Sequence, residues 1–122
     1  MKIIIIGGVA GGATAAARIR RLDEKAEIVI FERSGYISYA NCGLPYYIGG
    51  IIDDKEDLTL QTPEGFYRRF RIKAKVGHEV TDIDAKNKTV SVIDLKTGAS
   101  FTESYDKLIL SPGAKPLLPD FY

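Results

Sequence analysis

A glycine-rich turn between two apolar stretches constrains the fold of this chain more than any other feature. Residues 2–6 (KIIII) form a short β-branched run bounded by glycine, which is typical of a buried parallel strand. Residues 11–22 are rich in alanine and end in arginines, which favours a helix with a small packing face and cations near its C-terminus. Residues 26–32 (AEIVIFE) predict a second buried strand. The sequence therefore predicts a βαβ unit with a right-handed crossover.

The turn itself has the features of a nucleotide site. Binding a pyrophosphate requires a strand, a tight turn that lets the backbone approach, and a helix N-terminus. Gly7 and Gly12 fit the G-x-G-x-x-G pattern, whereas Val9 stands where its middle glycine belongs. Glu32 ends the second strand and stands 20 residues after Gly12. An acid at this position would accept hydrogen bonds from a ribose. The alternative is a turn selected only for helix–strand packing, with Glu32 as a solvated acid.

The composition excludes several classes of partner. The 122 residues suffice for one domain, and 17 Lys and Arg against 16 Asp and Glu give a net charge of +1, which predicts no general attraction to nucleic acid or membrane. One cysteine, Cys42, rules out an internal disulfide, and with His78 as the lone histidine no metal site is expected. The apolar start is too short for a signal peptide or membrane span, so we expect a cytoplasmic protein.

The remainder of the chain divides into three regions. Residues 33–62 predict a long connection with short helical pieces, and Thr62-Pro63-Glu64 begins a short helix, PEGFYRRF. Residues 72–105 predict alternating strands in an antiparallel meander, with turns at 85–88 and 96–98, although 72–76 also suits a strand of the parallel sheet. Residues 107–113 (KLILSPG) predict another buried strand that ends in a turn.

Cys42 lies in a segment, SYANCGLPYYIGG, that is too polar and rich in turn residues for a core strand. A lone structural cysteine usually occupies an apolar run, where sulfur acts as a small hydrophobe. Here the neighbours are polar or small, and the residue is expected to open a helical turn whose amides could stabilise a thiolate. Disulfide chemistry needs such a thiolate and a nearby electron acceptor, which a flavin would provide. We therefore interpret Cys42 as redox-active.

Four segments together resemble a known family. IIGGVAGGATAAARIRRLD, IVIFERS, SYANCGLPYYIGG and ESYDKLILSPGA are similar to the FAD-binding segment of the single-cysteine branch of the pyridine nucleotide-disulfide oxidoreductases, nearest to the coenzyme A-disulfide reductases. The resemblance implies an α/β, Rossmann-like FAD-binding domain of three layers, with a parallel sheet and an antiparallel β-meander. It also implies that NAD(P)H gives hydride to FAD, and that the flavin reduces a disulfide between Cys42 and coenzyme A.

The resemblance assigns roles to individual residues. Val9 is usual in the glycine turn of this branch, the backbone of Val80 meets the adenine, and residues 111–113 lie along the flavin nucleotide. The implied FAD-binding set is Gly7, Gly8, Val9, Ala10, Gly11, Gly12, Glu32, Arg33, Val80, Ser111, Pro112 and Gly113. The implied coenzyme A set is Thr14, Arg18, Arg21, Ser38, Asn41 and a basic residue near position 70. Phe70 stands where some relatives have lysine, so Arg69 or Arg71 would substitute, and we assign Arg71.

Several functions remain open from the residues alone. Dithiol relatives carry C-x4-C, but Tyr47 stands five residues after Cys42, so the oxidised thiol would form a mixed disulfide with a small thiol or a sulfenic acid. The first outcome predicts a coenzyme A-disulfide reductase and the second an NADH oxidase or peroxidase. A non-redox nucleotide or coenzyme A binding module, or an NAD-binding dehydrogenase without flavin, is a further alternative.

The resemblance also predicts that residues 1–122 are the N-terminal segment of an FAD-binding domain, without the NAD(P)-binding and dimerisation domains of the family. The intact enzyme is expected to be a homodimer, and the isolated segment to be inactive. A returning strand of the family's sheet would lie after residue 122. We therefore expect the isolated chain to self-associate, by pairing at an unpaired sheet edge or by exchange of an element, and to bind FAD weakly or not at all.

Overall fold

The computed structural model describes residues 1–8, 10–34, 37–39, 48–50, 59–61 and 63–113. Within these ranges it contains two helices and nine strands. The elements in chain order are β1 Lys2–Ile6, α1 Ala10–Leu22, β2 Glu27–Glu32, β3 Ile37–Tyr39, β4 Thr59–Gln61, α2 Pro63–Phe70, β5 Ile72–Val76, β6 His78–Asp84, β7 Thr89–Asp94, β8 Ser100–Ser104 and β9 Lys107–Leu110.

A four-stranded parallel sheet forms the centre of the molecule. Its strand order is β5-β2-β1-β9, so β1 lies between β2 and β9. Ile4 pairs with Val29 on one side and with Leu108 on the other. The helix α1 connects β1 to β2, as the predicted βαβ unit requires. Because β1 and β2 are covered on both faces, the residues in the middle of each strand are apolar and buried.

Alternate residues of the central strands enter two separate cores. Ile3, Ile5 and Ile30 pack on the helix side, in a cluster that includes Ala13 of α1 and Phe66 of α2. The opposite face packs against the meander β6-β7-β8 in a cluster of Ile4, Val29, Phe31, Val90 and Val92. This alternation follows from the period of two along a strand. The predicted three-layer α/β architecture is confirmed.

Two details differ from the sequence-based expectations. Strand β5 pairs in parallel with β2, so the antiparallel meander begins at His78 and not at Ile72. The chain turns between the two sheets at Gly77, where φ is +65°. Strand β9 is not buried, because β1 is its one partner among the described strands and the other side is an edge. Leu110 is consequently 60% exposed.

The predicted connection at 33–62 contains two strands that the sequence did not indicate. β3 and β4 form an antiparallel pair in which Ile37 opposes Gln61 and Tyr39 opposes Thr59. Three residues are too few for a period of two to be recognised in a sequence. The pair joins the two ends of the segment that contains Cys42, and Cys42 itself lies outside the described residues.

The short helix predicted from PEGFYRRF is confirmed as α2, with Glu64 in its first turn. Thr62, its expected N-cap, lies outside the described residues. The chain leaves α2 through Arg71, which has a φ of +54°. Within the described part of the chain, no helix has the length and apolar character needed to cross a membrane.

Among the described residues other than glycine, Arg71 and Lys88 have positive φ values. Lys88 lies in the β6–β7 turn at a φ of +54°, which costs an L-residue free energy and costs glycine none. We expect Lys88→Gly to raise the free energy of unfolding by about 0.5–1 kcal/mol, measured by urea denaturation. Lys86→Gly, in the same turn, should lower it, and equal effects of both substitutions would refute the explanation.

Candidate functional site

The turns after β1 and β9 touch each other at the carboxyl ends of the strands. Gly7 has a φ of +99°, and a Cβ atom placed there would lie 1.8 Å from the carbonyl oxygen of Ser111. A side chain at position 7 would therefore separate the two turns. β1 lies between β2 and β9 in the sheet, and ligands of open α/β sheets bind outside the carboxyl ends of the strands, where these two turns lie.

Helix α1 begins in direct contact with the same turn. A Cβ atom at Gly12 would lie 1.7 Å from the carbonyl oxygen of Gly7 and 3.2 Å from a side-chain carbon of Ile5. The helix therefore packs closely against the turn, which is the alternative role considered for these glycines. The same packing brings the N-terminus of the helix to the end of the strand. The first turn of α1 carries no acidic residue. Its amide dipoles remain available to a negatively charged group.

Glu32 is buried, with 7% of its surface exposed. One carboxylate oxygen accepts a hydrogen bond of 2.9 Å from the backbone amide of Gly8. The other accepts one of 2.8 Å from the amide of Ser34. The alternative in which Glu32 is a solvated acid at a strand end is therefore wrong. The carboxylate ties the glycine turn to the end of β2 and faces the same space as the turn.

A small cavity of about 90 Å³ lies at this end of the sheet, between the glycine turn and the meander. It brings together five residues that the sequence predicted for cofactor binding, namely Gly7, Glu32, Arg33, Val80 and Pro112. Gly8, Gly11 and Gly12 belong to the adjoining turn and helix, and Ala10 begins that helix. Ser111 and Gly113 flank Pro112 in the turn after β9, and Val9 lies outside the described residues.

His78 also lines this cavity, although no role was predicted for it. Its Nδ1 atom lies 2.8 Å from the carbonyl oxygen of Val76, which makes Nδ1 the protonated donor. The ring lies 6.3 Å from that of Phe31 and 6.1 Å from that of Phe101. The sequence did contain a signal for this placement, because His78 stands two residues before Val80 and shares its face of β6.

The chemistry of this cavity suits the nucleotide part of a dinucleotide cofactor. Glycines without side chains permit close approach of the backbone, and the helix N-terminus favours a pyrophosphate. The Glu32 carboxylate is an acceptor for ribose hydroxyl groups. Val80 and Pro112 supply apolar surface that a purine base can contact. The residues present therefore fit the adenosine diphosphate portion of FAD.

A larger hollow of about 380 Å³ lies between α1 and α2 on the other face of the sheet. Thr14, Arg18 and Arg21, which the family resemblance implied for coenzyme A, line it from one face of α1. Phe66 and Phe70 line it from α2. Arg69 lies 5.1 Å from the centre of the Phe70 ring, so its guanidinium group stacks beside the hollow. The two walls thus combine cationic and apolar groups.

Among the other residues predicted for the thiol substrate, the described part of the structure places Arg71 away from this hollow. Arg71 does not line it, because its guanidinium group donates a 2.8 Å hydrogen bond to the carbonyl oxygen of Glu24. Ser38 belongs to β3. Asn41 and Cys42 lie outside the described residues. Among the basic residues near position 70, Arg69 is therefore better placed than Arg71.

Arg20 is the second residue that the sequence analysis missed. It is 8% exposed, and its guanidinium group donates hydrogen bonds to four backbone carbonyl groups. Burial lowers the pKa of the Arg20 guanidinium, and the nearby charge of Arg71 lowers it further, whereas Asp23 acts in the opposite direction. Arginine is expected on a helix surface, so the sequence ARIRRL gave no indication that this arginine points inward.

The fold and the site together define a Rossmann-type α/β protein with a dinucleotide cradle at its strand ends. Residues 1–121 match the family described as pyridine nucleotide-disulphide oxidoreductase. The chain belongs to this family, as the resemblance of its four segments predicted.

Individual relatives agree with this assignment. The chain is 53% identical to the coenzyme A disulfide reductase of Staphylococcus aureus (strain bovine RF122 / ET3-1), over 93% of this chain and 26% of the relative. It superposes on the solved structure of reduced Bacillus anthracis CoADR-RHD with a TM-score of 0.94 and 51% identity, over 98% of this chain and 21% of that one. It also superposes on the solved structure of a water-forming NADH oxidase from Lactobacillus brevis, with a TM-score of 0.91 and 35% identity, over 98% of this chain and 26% of that one. The chain thus spans about a quarter of each relative's length.

The contact between Gly12 and Gly7 predicts a large difference between two neighbouring glycines. Gly12→Ala should lower the free energy of unfolding by more than about 3 kcal/mol, because its Cβ atom would collide with backbone that has no space to move. At Gly11 the added Cβ would meet only the Ser111 hydroxyl, at 2.8 Å.

The control is therefore Gly11→Ala in a Ser111→Ala background, in which the colliding hydroxyl group is absent. This double variant should remain within about 1 kcal/mol of Ser111→Ala, because alanine also favours the helix. Urea denaturation measures both differences. Equal losses at the two glycines would contradict the packing that we describe.

Proposed function

We propose that this chain forms the cofactor-binding part of a flavoprotein that uses NAD(P)H to reduce coenzyme A disulfide through Cys42. The observation that carries the proposal is the buried Glu32 carboxylate, held at the glycine turn by the amide of Gly8 and facing the small cavity at the strand ends. The identity of 53% to a coenzyme A disulfide reductase supports the choice of substrate.

The residues that would hold FAD are those of the cradle. The turn from Gly7 and the N-terminus of α1 would bind the pyrophosphate, and Glu32 would accept hydrogen bonds from the ribose. Val80 would contact the adenine, and the turn at residues 111–113 would lie along the remainder of the nucleotide. When bound, FAD would supply the electron pair that it takes from NAD(P)H.

The hollow between the helices is the proposed site of coenzyme A. Arg18 and Arg21 are exposed cations one helical turn apart, and guanidinium groups at this spacing suit phosphate oxygens. We now assign the third cation to Arg69, since Arg71 donates its hydrogen bond to Glu24. Phe66 and Phe70 offer apolar surface for the pantetheine chain.

Cys42 would carry the thiol chemistry. Its thiolate would attack coenzyme A disulfide, forming a mixed disulfide with one coenzyme A and releasing the other as a thiolate. Two electrons and a proton are then needed to release the second coenzyme A and restore the Cys42 thiolate. Ser38 and Asn41, close in sequence, are proposed to contact the substrate beside the sulfur.

A second function within the same family is an NADH oxidase or peroxidase that acts through a sulfenic acid. The water-forming NADH oxidase of Lactobacillus brevis supports this alternative at 35% identity, which is lower than the 51–53% of the coenzyme A disulfide reductase matches. A binding module without redox chemistry is the remaining alternative, and it predicts no flavin spectrum. We further propose a homodimer for the intact enzyme, and the cytoplasm as its compartment because of the single cysteine.

The role of Glu32 can be tested on the chain itself by adding FAD and measuring affinity from the quenching of flavin fluorescence. Glu32→Gln should weaken FAD binding by about 1–3 kcal/mol, because one amide oxygen cannot accept from both backbone groups and the ribose. Glu27→Gln, at the exposed start of the same strand, is the matched control. Unchanged affinity in Glu32→Gln would count against the proposed cradle.

The role of Cys42 requires the portions of the relatives that this chain does not span. A suitable protein is a chimera in which this segment replaces the matching part of the Staphylococcus aureus relative. Cys42→Ser in that chimera should abolish reduction of coenzyme A disulfide while the flavin absorbance is retained, because the cradle contains no sulfur. Turnover equal to that of the parent chimera would end the cysteine hypothesis.

A further inference from the structure

The proposed coenzyme A hollow has walls from two helices that are distant in sequence. α1 ends at Leu22 and α2 begins at Pro63. On the inner side, Phe66 packs with Ala13 and Ala16 in the helix-side core. Apolar packing of this kind is non-directional, so it leaves the relative position of the two helix ends weakly specified. A directional contact is needed to fix the width of the hollow at its outer end.

Arg20 provides directional contacts to both helix ends. Its Nε atom donates to the carbonyl oxygen of Phe70, the last residue of α2, at 2.7 Å. Nη2 donates to the carbonyl oxygen of Arg71 at 3.1 Å. Nη1 donates to the carbonyl oxygens of Asp23 and Glu24, directly after α1, at 3.2 and 3.0 Å. One planar group therefore binds the C-terminal end of α2 and the turn that follows α1.

The chemistry of the acceptors explains why arginine occupies this position. The last carbonyl groups of a helix have no partner within the helix and carry its negative dipole end. A guanidinium group offers five N–H donors in a fixed fork and can serve two such ends at once. A lysine at this position has one nitrogen atom, which cannot reach four carbonyl oxygens spread over both elements.

The link from Arg20 to the hollow is short. Phe70 accepts from Arg20 through its backbone and lines the hollow with its ring. On α1, Arg20 is flanked by Arg21, and Arg18 lies one turn before Arg21 on the face that lines the hollow. A movement of the Phe70 backbone would thus change the distance between the aromatic wall and the cationic wall.

We infer that Arg20 is a positioning residue for the coenzyme A hollow, where it holds the Phe70 end of α2 at a fixed distance from Arg18 and Arg21. Arg20 itself does not line the hollow in the described structure. This inference rests on the proposed function for its ligand, whereas the coupling of the two helix ends rests on the hydrogen bonds alone.

The experiment compares Arg20→Met and Arg20→Lys with Lys25→Met, which also removes a positive charge close to the end of α1 but is exposed. Calorimetry measures the affinity of the chain for coenzyme A and for ADP, and ADP serves as the probe of the nucleotide cavity. Amide hydrogen exchange is followed at Arg71, whose N–H bonds to Tyr67, and at Tyr105 in the meander region, whose N–H bonds to Lys88.

We expect Arg20→Met to weaken coenzyme A binding by about tenfold or more, with ADP affinity unchanged within about twofold. Exchange at Arg71 should accelerate while exchange at Tyr105 stays constant, and Lys25→Met should alter none of these values. Arg20→Lys keeps the charge, so its coenzyme A affinity and its exchange rate at Arg71 should lie between those of Arg20→Met and Lys25→Met. If Arg20→Met does not fold, Arg20→Lys carries the test.

Two results would overturn the inference. Coenzyme A affinity that is unchanged in both Arg20 variants would exclude a positioning role. Equal weakening of coenzyme A binding and ADP binding, with faster amide exchange at both Arg71 and Tyr105, would show that Arg20 contributes only to the general stability of the fold. If the unsubstituted chain binds ADP but not coenzyme A, and exchange at Arg71 still accelerates in Arg20→Met, then the proposed substrate is wrong and the coupling of the helix ends is supported.

Discussion

The hydrogen bond from the Gly8 amide to the Glu32 carboxylate is the interaction on which the cofactor end of this structure depends. The glycine turn belongs to β1, and Glu32 ends β2, so the bond fixes one strand end against the other. A buried carboxylate is costly unless its oxygens are satisfied, and here both oxygens accept backbone amides. The same oxygens have further lone pairs, so the group that stabilises the turn can also bind a ligand.

The central sheet separates the two cavities, because its faces are covered by different layers. The smaller cavity lies on the meander side and is lined by Phe31 and Val80. The larger hollow lies on the helix side, where Ala13 and Phe66 line it. A period of two along β1 and β2 therefore determines which apolar residues support which cavity. A register shift of one residue would exchange the two sets, which is why these strands are specified so strongly.

The sequence predicted most of what depends on local pattern. The glycine spacing and the β-branched runs predicted the βαβ unit, whereas the family resemblance supplied Thr14, Arg18 and Arg21. It did not predict the exposure of β9, because the apolar residues of an edge strand resemble those of a buried one. It did not predict that Arg20 points inward or that Arg71 turns to Glu24, since the acceptors are backbone carbonyls without a sequence signature.

Helix α1 runs from the glycine turn to the hollow, and its residues differ along its length because each part of it packs against a different neighbour. At its start, Gly12 must lack a side chain because the backbone of Gly7 occupies that space. In its middle, Ala13 and Ala16 are small enough for the helix to lie close to the sheet. At its end, Arg20 must be long and multiply hydrogen-bonded to reach α2. The size of the inward-facing side chain thus increases along the helix, as the neighbouring layer changes from a strand end to a second helix. A uniform helix of strong helix formers would satisfy local propensity and lose the cofactor turn at one end or the hollow at the other.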